Sequence, residues 1–416
     1  MFALLAALAT SAGVLTVPAM ARPTRHPTKE TAKDTAQDWW GGQGETGSTQ
    51  PGTEPGPGPG DQPAPGGDPG TGAGPGGDQG TGTPPSVPVF PICTDTVDRA
   101  VEFSIPVPGD DRLAHGFYAV PDSAPVGMVV FSHGYGHSSY SWQQHVARVA
   151  RDLHVVTIAM DGRDLHILST EKAPGIPNTA GWPVTSAAAD GITAAKLFQA
   201  ACPTIGTIVN YGVSLGGNTS GIMAASGATR IDGTPLFDWW VDIEGVNNLI
   251  ETYFEARGAS PAAQADIEEE TGGSFESDPA PFQARTNVLH TQDMKAAGLK
   301  GVVLVQGVDD GLVPYNQSQE MFDALNAVGI PTQYFTVTLK SDQSEAETTL
   351  SGTVGKKVDP SYRSPLAGHT SEMSTTHIVS LTGFDRLDAI FAGHPPACTR
   401  LAVVDGQVGS TPNVDC

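Results

Sequence analysis

Four side chains of this 416-residue chain have the types and settings that acyl transfer needs. Ser214 lies in Gly212-Val-Ser-Leu-Gly216, Asp310 opens Asp310-Gly-Leu-Val-Pro314, and His369 and His377 follow near the C-terminus. A serine hydroxyl is a poor nucleophile until a neighbouring base takes its proton. An imidazole does this when a carboxylate on its far side fixes its tautomer. The order serine, acid, histidine suits that division of labour. His369 is the preferred base, because Gly368 lets the backbone turn and aim the ring. His377 is the alternative; it directly precedes Ile378-Val379 and is expected to pack or cap at a helix start. Spacing from Asp310 does not choose between them, since Lys340 to Pro365 reads as an insertion. Asp309 is then a solvated neighbour, Glu244 a substitute acid, and His394 a surface residue.

These groups need elements to hold them. Thr207 to Tyr211 is β-branched and aromatic, as a buried strand would be, and Asn218 to Ala225 is small and apolar enough for a helix. Ser214 therefore sits on a sharp strand-to-helix turn, with its hydroxyl clear of the sheet and a helix N-terminus behind it. Val101–Val107 and His115–Val120 read as an antiparallel start. Gly127–His133, Val155–Met160, Phe237–Ile243, Gly301–Gln306 and Gln333–Leu339 read as further strands. Helical spacing covers Trp142–Arg151, Ser186–Ala201, Gln317–Ala327 and Ile378–Phe391. The alternation predicts an α/β fold with a doubly wound, mostly parallel sheet. Residues 247–298 interrupt it, helix-like and acidic around Glu268-Glu-Glu270, and are expected to cap the pocket.

With His133-Gly-Tyr-Gly136 after the third strand, the Ser214 turn and the Asp310 loop, residues 89–416 resemble the α/β-hydrolase superfamily. The resemblance implies a triad of Ser214, Asp310 and His369. It also implies an oxyanion hole made by the backbone N–H of Leu215 and, from the loop after the third strand, that of Tyr135. His133 would brace this loop, and Tyr140, Trp142 and Trp182 would line an acyl pocket or belong to the core. The implied activity is a secreted serine hydrolase cleaving small or polymeric carboxylic esters through an acyl-enzyme. A peptidase or amidase of the same fold is the alternative, and a non-catalytic envelope protein a further one.

The ends and the composition frame that reading. Residues 1–21 resemble a secretory leader closing on Ala19-Met-Ala21. Residues 22–88, rich in Gly and Pro, lack the apolar side chains that would offset ordering entropy and read as a disordered linker. The catalytic domain would be 89–416, outside the cell or at its envelope. Twenty-two basic against 45 acidic residues give a net charge of −23, which argues against nucleic acid or an anionic membrane as partner. No stable membrane insertion is expected, and oligomeric state is left open. Neither His-Glu-x-x-His nor a phosphate-binding glycine loop occurs, so no cofactor or metal is expected. Four cysteines in an exported chain suggest two disulfides out of three possible pairings. The short Cys398–Cys416 loop is preferred, which leaves Cys93–Cys202.

Overall fold

Runs of β-branched and apolar residues form the centre of the molecule. In this computed structural model, which describes Cys93 and residues 99–107, 109–308, 310, 312–338, 368–375 and 377–405, the strands β3 (Gly127–Ser132), β4 (Val155–Met160) and β9 (Gly301–Gly307) are buried along their whole length. Burial on both faces is why they read as unbroken apolar runs rather than alternating ones. The expected leader and linker, and Asp309, lie outside the described residues.

Among the described residues the sheet has nine strands in the order β1-β2-β4-β3-β7-β8-β9-β10-β11. The remaining members are β1 (Val101–Pro106), β2 (Leu113–Ala119), β7 (Thr207–Val213), β8 (Trp239–Ile243), β10 (Thr332–Thr338) and β11 (Arg400–Asp405). Only β2 runs against the others, pairing antiparallel with β1 and β4. Helices α1 (Gln143–Leu153) and α9 (Ile378–Phe391) cover one face, with Val146, Val149, Phe384 and Leu387 against the odd positions of the central strands. Helices α2 (Val184–Ala201), α3 (Leu215–Ala225) and α8 (Tyr315–Val328) cover the other face. The result is the expected doubly wound, mostly parallel sheet of the α/β-hydrolase fold. Strand β3 lies between β4 and β7, so successive connections leave it in opposite directions. The carboxyl ends of β3 and β7 therefore flank a crevice, the place where such sheets bind ligands.

The insertion between β8 and β9 is helical: α4 (Leu249–Ala259), α5 (Pro261–Thr271), α6 (Ala280–Gln283) and α7 (Thr291–Ala296). Its boundaries follow local rules. Ser260 accepts the N–H of Ala263 as N-cap of α5, Pro261 takes the first turn, and Gly272 ends the helix at φ +79°. Two elements escaped the sequence reading. One is a hairpin of β5 (His166–Ala173) and β6 (Ile176–Ala180) that turns at Gly175 (φ +75°); β5 is exposed from His166 to Glu171 and β6 is mostly half-buried, so neither strand carries an alternating apolar face. The other is β11, which among the described residues lies at the sheet's edge and pairs with β10.

Cys93 and Cys202 are bridged with Cα atoms 5.5 Å apart across 109 residues. Cys398 is also disulfide-bonded; its expected partner Cys416 lies outside the described residues. Cys202 precedes β7 and Ser214 follows it, so the Cys93 bridge is at the end of the sheet remote from the elbow. Cys93→Ser should therefore lower unfolding free energy by about 2–4 kcal/mol, read as a shifted urea midpoint, without changing reactivity at Ser214.

Candidate active site

Ser214 stands between the last residue of β7 and the first of α3, at φ +58° and ψ −123°. For a non-glycine residue this conformation costs on the order of 1–3 kcal/mol, and surrounding bonds hold it in place. Its N–H donates to the Ile243 carbonyl at 2.9 Å, and its carbonyl accepts the N–H groups of Gly217 and Val246 at 2.8 and 3.1 Å. The flanking glycines are needed for close approach: a Cβ on Gly216 would overlap the Ser132 carbonyl, and one on Gly212 would overlap Gly216. Leu215 opens α3, where a backbone N–H has no intrahelical acceptor and the helix dipole is positive.

Asp310 and His369, 59 residues apart in sequence, meet beyond the end of β9, with Oδ2 of Asp310 2.7 Å from Nδ1 of His369. The carboxylate is fully engaged. Oδ1 accepts the N–H groups of Leu312 and Val313 at 2.8 and 3.0 Å, and Oδ2 also accepts Nε2 of Gln306 at 3.0 Å. Burial works against a charge on His369, but the Asp310 charge and hydrogen bond, then Glu244 and Glu372, outweigh it and push its pKa up to about 9. His377 is placed differently. It is the N-cap of α9, where its Nδ1 accepts the Val379 N–H at 3.3 Å and its own N–H donates to Ser374 at 2.9 Å. His394 is exposed.

Glu244 follows β8 and is fully buried. One oxygen accepts the N–H of Gly307 at 3.0 Å and the other that of Thr370 at 2.6 Å. The latter is also 3.4 Å from Nδ1 of His369. Burial and the Asp310 charge raise its pKa well above the usual carboxylate range. The donor atoms of Glu244, Asp310 and His369 lie within 4.8 Å of one another, a spacing that a cation would accept. Here N–H donors already engage both carboxyl groups, and a proton on Nδ1 completes the arrangement.

Glu372 was not singled out in the sequence. Its carboxylate is buried, accepts the Gly134 N–H at 3.0 Å and lies 2.8 Å from Nδ1 of His137. Burial opposes its charge, yet His137 and the Gly134 N–H hold its pKa down to about 2. It thereby ties the loop carrying His369 to the glycine loop after β3, whose Gly134 comes up against Cβ of Ser214. No local pattern signals this, because the partners are 238 residues apart. In the same glycine loop His133 is buried, with Nδ1 3.0 Å from the Gly134 carbonyl.

Tyr135 reaches the insertion: its hydroxyl donates to Asp266 of α5 at 2.5 Å, and its ring packs 5.5 Å from that of Trp182. Trp182, Leu215, Val246, Tyr253 and Phe282 form one apolar cluster on this side of the serine. The other two aromatic candidates lie elsewhere. Trp142 stacks on Phe131 in the core, and Tyr140 stacks on His115 and donates to Glu102.

No protein-family model matches the chain, and no curated protein matches it. Among solved structures it resembles an acylaminoacyl peptidase of Pyrococcus horikoshii at 14% identity, over 57% of this chain and 36% of that one, with a TM-score of 0.42. It also resembles a puromycin-hydrolyzing peptidase of Mycobacterium tuberculosis at 15% identity, over 74% and 42% of the two chains, with a TM-score of 0.45. A Pyrobaculum calidifontis esterase is similar at 18% identity, over 57% and 75%, with a TM-score of 0.42. The match thus spans less than half of either peptidase. Likeness this distant carries nothing about the reaction, and the fold stands on its own sheet order and elbow.

Two substitutions separate the elbow from its surroundings. Gly216→Ala forces its new methyl group into the Ser132 carbonyl and should cost about 2 kcal/mol or more of stability, together with most of the reactivity of Ser214 towards a fluorophosphonate. His377→Ala removes a helix cap worth about 1 kcal/mol; it should lower the melting temperature and leave that labelling in place.

Proposed function

We propose that this protein is a serine hydrolase that cleaves carboxylic esters through an acyl-enzyme. Ser214 is the nucleophile, His369 the general base and Asp310 its orienting acid. The observation that carries the reading is the 2.7 Å hydrogen bond from His369 to Asp310, formed at the carboxyl end of the sheet that also holds Ser214 in its strained turn. His369 takes the Ser214 proton as Oγ attacks the acyl carbon, then gives it to the departing alkoxide. Water repeats the sequence to release the acid. The Leu215 N–H, at the positive end of α3, and the Tyr135 N–H stabilise the oxyanion. Helices α4 to α7 act as a cap, and the apolar cluster around Trp182 and Leu215 offers a dry wall to the acyl group. The Cys93–Cys202 bridge supports an oxidising compartment outside the cytosol.

Labelling by a fluorophosphonate tests the reading directly. Wild-type protein should react at Ser214, while Ser214→Ala should be inert and lose about three or more orders of magnitude in turnover. Asp310→Asn should impair turnover severely by releasing the imidazole tautomer. A panel of graded esters and aminoacyl amides then decides the bond cleaved; faster turnover of the amides would replace the ester reading with a peptidase.

The pH profile has a definite sign. A protonated imidazole cannot accept the serine proton, so kcat/KM should be lost as pH falls through the His369 pKa. Because that value is pushed up to about 9, the acid limb should lie well above the ordinary histidine midpoint of about 6.5. Steady-state rates between pH 6 and pH 10 measure it.

A further inference from the structure

Among the described residues, three that are not glycine have positive φ: His154, Ser214 and Glu244. His154 ends α1 in a left-handed cap, and Ser214 is the elbow. Glu244, at φ +51°, caps no helix and is fully buried, so its strained backbone needs another compensation. What it gains is position. Its N–H continues the β8–β9 ladder to the Val305 carbonyl at 2.8 Å. Its side chain then crosses to the N–H of Gly307, where β9 ends, and to that of Thr370, next to the histidine.

We propose that Glu244 is a positioning residue for His369. It latches the loop that bears the base onto the strand end that bears Asp310, and it holds a second carboxyl oxygen against Nδ1. The proposal rests on the hydrolase reading for its meaning in turnover. Its geometry stands without it.

The physical argument turns on which bonds define the position of the imidazole. The Asp310 contact at 2.7 Å fixes one direction only, and a ring on an unrestrained loop can pivot about it. The Thr370 N–H, adjacent in sequence, removes that freedom by binding Glu244 at 2.6 Å. The same oxygen, 3.4 Å from Nδ1, becomes the available acceptor whenever the Asp310 side is lost. The charged groups acting on His369 are Asp310, Glu244 and Glu372, the last of them paired with His137.

Glu244→Gln is the test, because it keeps the size of the side chain while turning one acceptor into an NH2 group that faces an N–H donor. Nuclear magnetic resonance of 13C-labelled histidine, with the His369 signal assigned by its loss in His369→Asn, reads the position without any turnover. The His369 midpoint should fall by about one pH unit or more in Glu244→Gln. In ester hydrolysis kcat should fall about tenfold at unchanged KM, the outcome for a group that acts after substrate is bound. Asp310→Asn should keep slow fluorophosphonate labelling, which Asp310→Asn/Glu244→Gln should lose. An unchanged His369 midpoint in Glu244→Gln, or a double variant labelled as fast as Asp310→Asn, would overturn the proposal. If Glu244→Gln does not fold, Asp310→Asn alone decides. Its His369 should still titrate above about 6.5, and a midpoint at or below that value rejects Glu244 as the second acceptor. Wild-type protein inert to the fluorophosphonate would sink the hydrolase reading instead, and the titration would still report on Glu244.

Discussion

The carboxyl groups of Glu244, Asp310 and Glu372 lie in the interior, and an unpaired buried charge costs several kcal/mol. Each is therefore surrounded by donors, and those donors come from different parts of the chain. Gly307 and Thr370 serve Glu244; Leu312, Val313 and Gln306 serve Asp310; Gly134 and His137 serve Glu372. This requirement fixes the loops at the carboxyl ends of β3, β8 and β9 relative to one another. The imidazole of His369 enters a framework that hydrogen bonding has already set.

The sheet supplies the matching rigidity for Ser214. Ser214 is held by backbone bonds to Ile243, Gly217 and Val246, so its strained turn is clamped between β8 and the first turn of α3. The crevice between β3 and β7 follows from strand order. The arrangement is organised for one hydroxyl, one ring and one carboxylate. A second carboxyl, Glu244, stabilises the ring's approach without replacing Asp310 as its nearest partner.

Much of this could be read from the sequence, for reasons that particular residues make plain. The strands were legible because burial on both faces leaves unbroken runs such as those of β3 and β4, and Ile378–Phe391 because its apolar spacing is helical throughout. Ser214 was legible because its turn needs glycines at fixed offsets, and Asp310 because the acid and its two backbone donors are local. His369 and His377 could be ranked only by setting, glycine before the one and a helix start after the other. Glu372 was invisible, since its purpose depends on Gly134 and His137 far away in sequence. Glu244 was visible as an acid at a strand end, but not its bond to Thr370, and the β5–β6 hairpin, with no apolar face, left no periodic signature. Chemistry carried by short motifs reads well in one dimension. Chemistry carried by the packing of one loop on another does not.

The bond between Gly134 and Glu372 spans 238 positions, and that separation orders events during synthesis. The elbow can form once β7, β8 and α3 have paired, but closing so long a loop has to await the C-terminal quarter of the chain. A nascent or truncated polypeptide ending before residue 369 can hold Ser214 in its turn but lacks both the His369 ring and the Glu372 clamp on the glycine loop. The Ser214 turn and the Glu372 clamp are thus completed at different times, the turn when β8 pairs with β7 and the clamp when the segment bearing Glu372 docks.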